Sequence, residues 1–245
     1  MNFQFFADTL LSLLSGVPKT LELAAISVSA GAMLAVILAT LQLYGPKPIA
    51  LLVRAYAFAF RGTPLLVQLF LIYYGLGQLA FVRHSFLWAY LREPFWCAIL
   101  ALSLNTAAYG AVIIRGGILS VPYGQVEAAW ACGMSGLKTF RRIIFPVALR
   151  QALPAYSNEV ILMIKSTSLA SIITLMEVTG IAYKLISETY NAIPIFICAG
   201  AIYLFINFVI TRAIQYLEKR LSPHRQRRPD EVSDAKRQVK RASAS

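Results

Sequence analysis

The stretch from Leu23 to Pro46 reads LAAISVSAGAMLAVILATLQLYGP and holds no side chain that is charged at neutral pH. As a helix, its 24 residues would be about 36 Å long, at a rise of about 1.5 Å per residue. Since the hydrocarbon core of a bilayer is about 30 Å thick, one such helix can cross a membrane. Small residues near its middle, among them Ser27 and Gly31, would let a second helix approach closely.

Similar stretches recur along the chain. Residues 62–82, 94–114 and 189–211 carry no charge, and 160–176 is apolar or weakly polar apart from Lys165. Charged residues make up 14% of the 245, whereas soluble domains carry about 25%. We therefore predict an all-α, polytopic membrane helix bundle with about five transmembrane helices, rather than the buried helices of a large soluble core.

Turn and cap residues set the predicted boundaries of the spans. A short external segment at 10–18 precedes a first span at 21–43, the second span covers 64–82, and the third covers 94–114. We expect Thr63 to cap the second span, with Pro64 at its first helical position. The interruption Arg61-Gly62-Thr63-Pro64 is either a functional gate element, which we favour, or an interfacial bend.

The distribution of positive charge predicts the orientation. With five spans and the N-terminus outside, inner segments carry most of the 23 Lys and Arg residues, including ten from Arg212 onward. The net charge of +12 is therefore explained by the orientation of the chain in the membrane, and we do not predict nucleic acid as a partner. The predicted membrane domain covers 1–220, and 221–245 is predicted to be a basic, disordered cytoplasmic tail, with anionic lipid as a less favoured ligand.

A long inner loop, about 115–154, separates the third and fourth spans. It is patterned like two short helices, the first capped by Ser120 and ended by Gly133, the second capped by Ser135 and ended or kinked by Pro146. We refer to 115–154 as the coupling loop.

The coupling loop contains a motif with long, fixed spacing. Glu127-Ala128-Ala129 is followed by three residues and Gly133, then by nine residues, Ile143, one residue and Phe145-Pro146. This resembles the Glu-Ala-Ala loop of the membrane subunits of ABC importers, except that Phe145 stands where Leu is usual. Arg61 to Gln68, reading RGTPLLVQ, resembles subunits for polar amino acids.

The resemblance implies the type I ABC importer membrane-subunit fold in a bacterial inner (plasma) membrane, and it is closest to the histidine, basic amino acid and opine branch. The implied partners are ABC ATPase subunits, a second homologous membrane subunit, a soluble substrate-binding protein and the lipid bilayer. ATP would be bound by the ATPase, because this chain has no Gly-x-x-x-x-Gly-Lys-Ser/Thr sequence. The chain itself is expected to be non-enzymatic, without a cofactor.

Two groups of candidate site residues follow. The coupling group is Glu127, Ala128, Ala129, Gly133, Ile143 and Pro146, and the translocation-path group is Lys165, Thr167, Ser168, Glu159, Arg61 and Thr63. Charged side chains inside a membrane are functional candidates by default. A structural ion pair or a snorkelling role for Lys165 remains open, as does a purely packing role for Asn105, Thr106 and Tyr109 in the third span. We predict no catalytic set and no metal site.

Two other functions are compatible with a membrane bundle. An ion-coupled secondary amino acid transporter usually shows inverted repeats, and we find no repeat in this sequence. A membrane scaffold without transport is the third hypothesis, and association with an ATPase would exclude it.

Overall fold

The computed structural model describes residues 3–221, and within them the chain is helical without any strand. The α-helices are α1 Phe3–Leu14, α2 Val17–Tyr44, α3 Lys47–Gly62, α4 Leu65–Phe70, α5 Ala80–Arg83, α6 Trp88–Leu91, α7 Pro94–Leu119, α8 Tyr123–Ala131, α9 Gly136–Thr139, α10 Phe145–Ser166, α11 Val178–Thr189 and α12 Ala192–Leu221. Two π-helical turns, Leu71–Gly75 and Phe140–Ile144, and two 3₁₀ segments, Leu76–Gln78 and Thr167–Ile173, extend α4, α9 and α10.

Five candidate spans exist among the described residues. The segments Gln4–Tyr44, Pro94–Leu119 and Ala192–Arg220 are each long and apolar enough to cross a membrane. Two bent pairs qualify when each is counted as one span: Lys47–Gly62 with Leu65–Gln78, bent by 107°, and Gly136–Ile173 with Val178–Thr189, bent by 45°. This agrees with the predicted number.

Close contact between α2, α7 and α10 forms the centre of the bundle. A Cβ atom added at Gly31 would lie 2.7 Å from the Cβ of Thr106, and one added at Gly117 would lie 2.7 Å from the carbonyl oxygen of Ala148. Such approach is possible only for small residues, and van der Waals contact across them stabilises helix pairs in lipid. The predicted role of the small residues in the first span is confirmed, since Ser27 and Gly31 are buried.

A buried carboxylate ties α2, α11 and α12 together. Glu177 is fully buried and caps the N-terminus of α11, where its Oε1 accepts the Gly180 N–H at 2.9 Å. Its Oε2 accepts hydrogen bonds from the hydroxyls of Tyr203, at 2.5 Å, and Thr20, at 3.3 Å. The buried carboxylate is thus satisfied by three hydrogen bonds, one from the backbone N–H at the start of α11 and two from hydroxyls.

Several predicted boundaries are wrong. The segment at 10–18 is divided between α1 and the start of α2, which begins at Val17 because Pro18 is tolerated in a first helical turn. The second span does not run from 64 to 82 as one helix, and α7 ends at Leu119 rather than at 114. The predicted tail at 221–245 lies outside the described residues, apart from Leu221, which ends α12.

Within the coupling loop the prediction for Ser120 is wrong, and for Pro146 the first of the two predicted alternatives, a helix end, is wrong. Ser120 does not cap α8; it closes α7, donating its hydroxyl to the carbonyl of Gly117 at 2.7 Å, and α8 follows Pro122. Pro146 does not end its helix, because it lies in the first turn of α10 directly after a π turn.

Candidate functional site

The interruption at Arg61–Pro64 is a sharp bend between two helices. Thr63 and Pro64 are extended, with φ/ψ of −115°/146° and −61°/134°. The Thr63 hydroxyl donates to the carbonyl of Ala59 at 2.8 Å. Thr63 therefore closes α3. The prediction that it caps α4 is wrong, because its hydroxyl bonds to a free carbonyl at the end of α3.

The bend is held by the side-chain amide of Gln68. Its Nε2 donates to the carbonyls of Phe60, at 2.7 Å, and Thr63, at 3.0 Å, and lies 2.9 Å from Thr63 Oγ1. Its Oε1 accepts a hydrogen bond from Asn105 Nδ2 at 2.9 Å. The side chain of Asn105 in α7 is thereby joined to the bend.

A cavity of about 310 Å³ lies between the bend, α7 and α10. We call it the bend cavity; its lining residues are Thr63, Pro64, Leu65, Asn105, Tyr109, Glu159, Leu162, Met163 and Ser166. Glu159 is only 7% exposed, and among residues 3–221 no cation lies within salt-bridge distance of it. The exposed guanidinium of Arg61 lies 5.3 Å from the ring centroid of Tyr109.

The bend cavity unites only part of the predicted path group. Thr63 and Glu159 line it, and Arg61 is adjacent through Tyr109. Neither Thr167, which is fully buried, nor Ser168, which donates to the carbonyl of Lys165, is among the lining residues.

Helical phase explains the difference. Glu159, Leu162, Met163 and Ser166 occupy positions i, i+3, i+4 and i+7 and so share one face of α10, whereas Lys165 is out of phase with them. Asn105 and Tyr109 are likewise four residues apart on α7. The same helical spacing, counted from Glu159, predicts Ser166 as a lining residue of the bend cavity.

The coupling loop has its own defined geometry. Glu127 and Ala128 are exposed on α8, whereas Ala129 is buried beneath them. Gly133 has φ +73° and completes a Schellman motif: its N–H donates to the carbonyl of Trp130, and the Met134 N–H donates to the carbonyl of Ala129. The prediction that Gly133 ends this helix is confirmed.

The coupling loop exposes large apolar side chains near Glu127 and Ala128. Tyr123 is 65% exposed and Trp130 52%, and their rings form an edge-to-face pair with centroids 6.3 Å apart. Leu137, just beyond Gly133, is 79% exposed. Ile143 and Pro146 are partly buried. An apolar surface of this kind, with one carboxylate, is suited to a protein partner.

Comparison with known proteins identifies the family. Residues 31–223 match the family described as binding-protein-dependent transport system inner membrane component. The chain belongs to this family. It is therefore the membrane-spanning component of such a transport system, and neither an ion-coupled secondary transporter nor a scaffold.

Relatives of this membrane component are similar to it in sequence over nearly their whole length. The octopine transport system permease protein of Rhizobium radiobacter is 59% identical over 221 residues, covering 90% of both chains. The arginine ABC transporter permease protein of Haemophilus influenzae is 41% identical over 216 residues, covering 88% of this chain and 95% of the relative.

Solved structures show the same fold. The crystal structure of an amino acid ABC transporter with histidines matches with a TM-score of 0.80 and 34% identity, covering 90% of this chain and 99% of that chain. The predicted type I importer membrane-subunit fold is confirmed.

Proposed function

We propose that this membrane component serves an ATP-driven importer for guanidinium-bearing solutes, either arginine or opines such as octopine and nopaline. Relatives carry the names of octopine, nopaline and arginine transport systems, and all three compounds contain a guanidinium group. The observation that carries the proposal is the buried Glu159 carboxylate in the bend cavity, which lacks a cation within salt-bridge distance among the described residues.

The chemistry of the cavity fits such a solute. A buried carboxylate is costly unless it is paired, and a planar guanidinium can pair with it through two parallel hydrogen bonds. Tyr109 and Asn105 supply an aromatic face and an amide beside it. Arg61, whose guanidinium lies 5.3 Å from the centroid of the Tyr109 ring, would provide a positive charge for the carboxylate of the solute.

Lys165, Thr167 and Ser168 complete the proposed path outside the cavity. Lys165 is exposed, and no acidic group of the described part of the chain lies within salt-bridge distance of it. A second homologous membrane subunit would provide its partner, or else Lys165 faces the solute directly. Either arrangement would accommodate a charge within the membrane.

The coupling loop is the proposed contact with separate ABC ATPase subunits, which would bind ATP. Glu127 and Ala128 would contact the ATPase, Ala129 and Gly133 would fix the direction of α8, and Ile143 and Pro146 would support it from behind. A soluble binding protein would deliver solute on the outer face. This chain is proposed to have no enzymatic activity, with its N-terminus outside and its C-terminus in the cytoplasm.

The substrate proposal is tested by binding to the purified membrane complex, with its ATPase subunits, in nanodiscs and without the binding protein. We expect Glu159→Gln to raise the Kd for L-arginine by about tenfold or more, because one partner of a buried charge pair is lost. Glu188→Gln, at an exposed position of α11, is the matched control. L-Citrulline, which is neutral, should bind both proteins equally weakly. Unchanged arginine affinity in Glu159→Gln would refute the proposal.

The orientation is tested on the native chain. Cys132 is exposed next to Gly133, whereas Cys97 and Cys198 are buried. A membrane-impermeant maleimide should therefore label Cys132 in inside-out vesicles and spare it in intact cells, with Cys132→Ser as control. Labelling from outside would reverse the proposed orientation.

A further inference from the structure

We infer that Gln68 is a positioning residue, which sets the shape of the bend cavity without lining it. The inference rests on the proposed function of that cavity. Gln68 is itself only 6% exposed and contributes no surface to the cavity, yet it bonds to two residues that do, Thr63 and Asn105.

The need for such a residue follows from the sequence of the bend. In a continuous helix the carbonyl of Phe60 would accept the N–H of residue 64, but Pro64 has no N–H. The carbonyl of Thr63 would accept the N–H of Val67, which instead donates to the carbonyl of Pro64. The break thus leaves the carbonyls of Phe60 and Thr63 without their helical donors.

The amide of Gln68 supplies the missing donors. Its Nε2 bonds to both carbonyls, at 2.7 and 3.0 Å. It spans the bend from the first turns of α4 back to the end of α3, so the angle between the two helices is fixed by a side chain as well as by Pro64.

The other end of the same amide fixes the opposite wall. Gln68 Oε1 accepts from Asn105 Nδ2 at 2.9 Å, which orients the Asn105 side chain at the cavity. Only a group with a donor at one atom and an acceptor at the other can serve both walls. A carboxylate at position 68 could accept from Asn105 but would repel the two carbonyls, and a thioether could do neither.

The test measures both the affinity and the number of sites, because these separate positioning from folding. Radiolabelled L-arginine and octopine are titrated against the complete membrane complex, including its ATPase subunits, in nanodiscs. Variants are Gln68→Met, which keeps the length of the side chain, and Gln68→Glu, which keeps its shape. Gln78→Met and Gln78→Glu, at an exposed position beyond the π turn, are the matched controls.

We expect Gln68→Met to raise the Kd for both ligands by about tenfold, as loss of hydrogen bonds that orient cavity groups would do. Gln68→Glu should raise it further, while the number of sites per complex and both Gln78 variants stay at wild-type values. A purely structural residue would instead lower the number of sites and leave the Kd of the remaining sites unchanged.

Three results would overturn the inference, and they differ in what else they affect. If both Gln68 variants keep the wild-type Kd while Glu159→Gln raises it, the positioning role is wrong and the cavity stands. If all three keep the wild-type Kd, the cavity and the positioning role fail together. If neither Gln68 variant assembles into a complex, Gln68 is required for folding and is not a positioning residue.

Discussion

Replacement of Gly133 by alanine tests the proposed coupling loop at its most constrained point. Gly133 has φ +73°, in the left-handed region, and directs the chain from α8 into α9. A methyl group added there would meet no atom within 4 Å. The substitution therefore perturbs the backbone conformation alone, without a steric clash.

The magnitude follows from that conformation. A residue with a Cβ in the left-handed region costs about 1–2 kcal/mol relative to glycine. The Schellman motif that Gly133 completes would be populated less by a factor of about 5–30. Two other glycines provide controls, since Gly124 and Gly136 also have open space around their Cα atoms but no positive φ.

The assay is co-purification of the ATPase subunits with the tagged chain, followed by uptake of L-arginine in cells. Gly133→Ala should retain several-fold less ATPase and should lower uptake in proportion. Gly136→Ala should match the wild type, and Gly124→Ala should match or slightly exceed it, because alanine favours the helix by about 0.5–1 kcal/mol.

Equal retention of ATPase in all three variants would refute this reasoning. It would mean that the conformation at Gly133 does not control the docking of the ATPase, and that α8 is not the contact. Loss of ATPase in all three would refute it equally, because a general sensitivity of the loop to added methyl groups would then explain the result.

Three further predictions concern other parts of the chain. Glu177→Gln should destabilise the detergent-solubilised protein by about 1–3 kcal/mol, since an amide group in place of Oε2 cannot accept from the hydroxyls of Tyr203 and Thr20; Tyr203→Phe should have a smaller effect in the same thermal unfolding assay. Gly31→Ala should lower stability by about 1–3 kcal/mol through overpacking, whereas Gly200→Ala, at an open position, should not. Lys165→Ala should lower uptake while the complex remains assembled, and unchanged uptake would exclude Lys165 from the path.

The spans could be predicted from sequence because a long charge-free helix is stable only when it is buried in a membrane or in protein. For residues 23–46 and 94–114, length and the absence of charge were enough to predict a span. The direction of the chain between spans could not be predicted. The interruption at 61–64 was found as a gap in the pattern, but its 107° bend depends on the bonds that Gln68 makes to α3 and α7. Hydropathy contains no angular information, so neither the angle of the bend nor the hydrogen-bond partners of Gln68 could be predicted from the sequence.

The candidate site shows the same division. Glu159 and Thr63 were found because a charge or a Thr-Pro pair at membrane depth demands an explanation. Lys165 attracted the same attention, although it is out of phase with Glu159 on α10. Charge identifies a residue that must be accommodated, whereas helical phase determines which cavity it can reach. Gly133 was predicted correctly because its backbone conformation is a local property of the chain.

The two proposed sites are connected by one nearly unbroken helical path. From Gly136 to Glu159 the chain is helical through α9, a π turn and α10, a distance of about 35 Å at about 1.5 Å per residue. A displacement of the coupling loop by an ATPase would therefore move Glu159 and Ser166 relative to Asn105 and the bend. On this mechanism, substitutions at the two ends have separable effects. Gly133→Ala should weaken ATPase retention without changing the Kd for L-arginine, whereas Gln68→Met should raise that Kd without changing ATPase retention. A single variant that impaired both to the same degree would show that the helix transmits unfolding rather than motion.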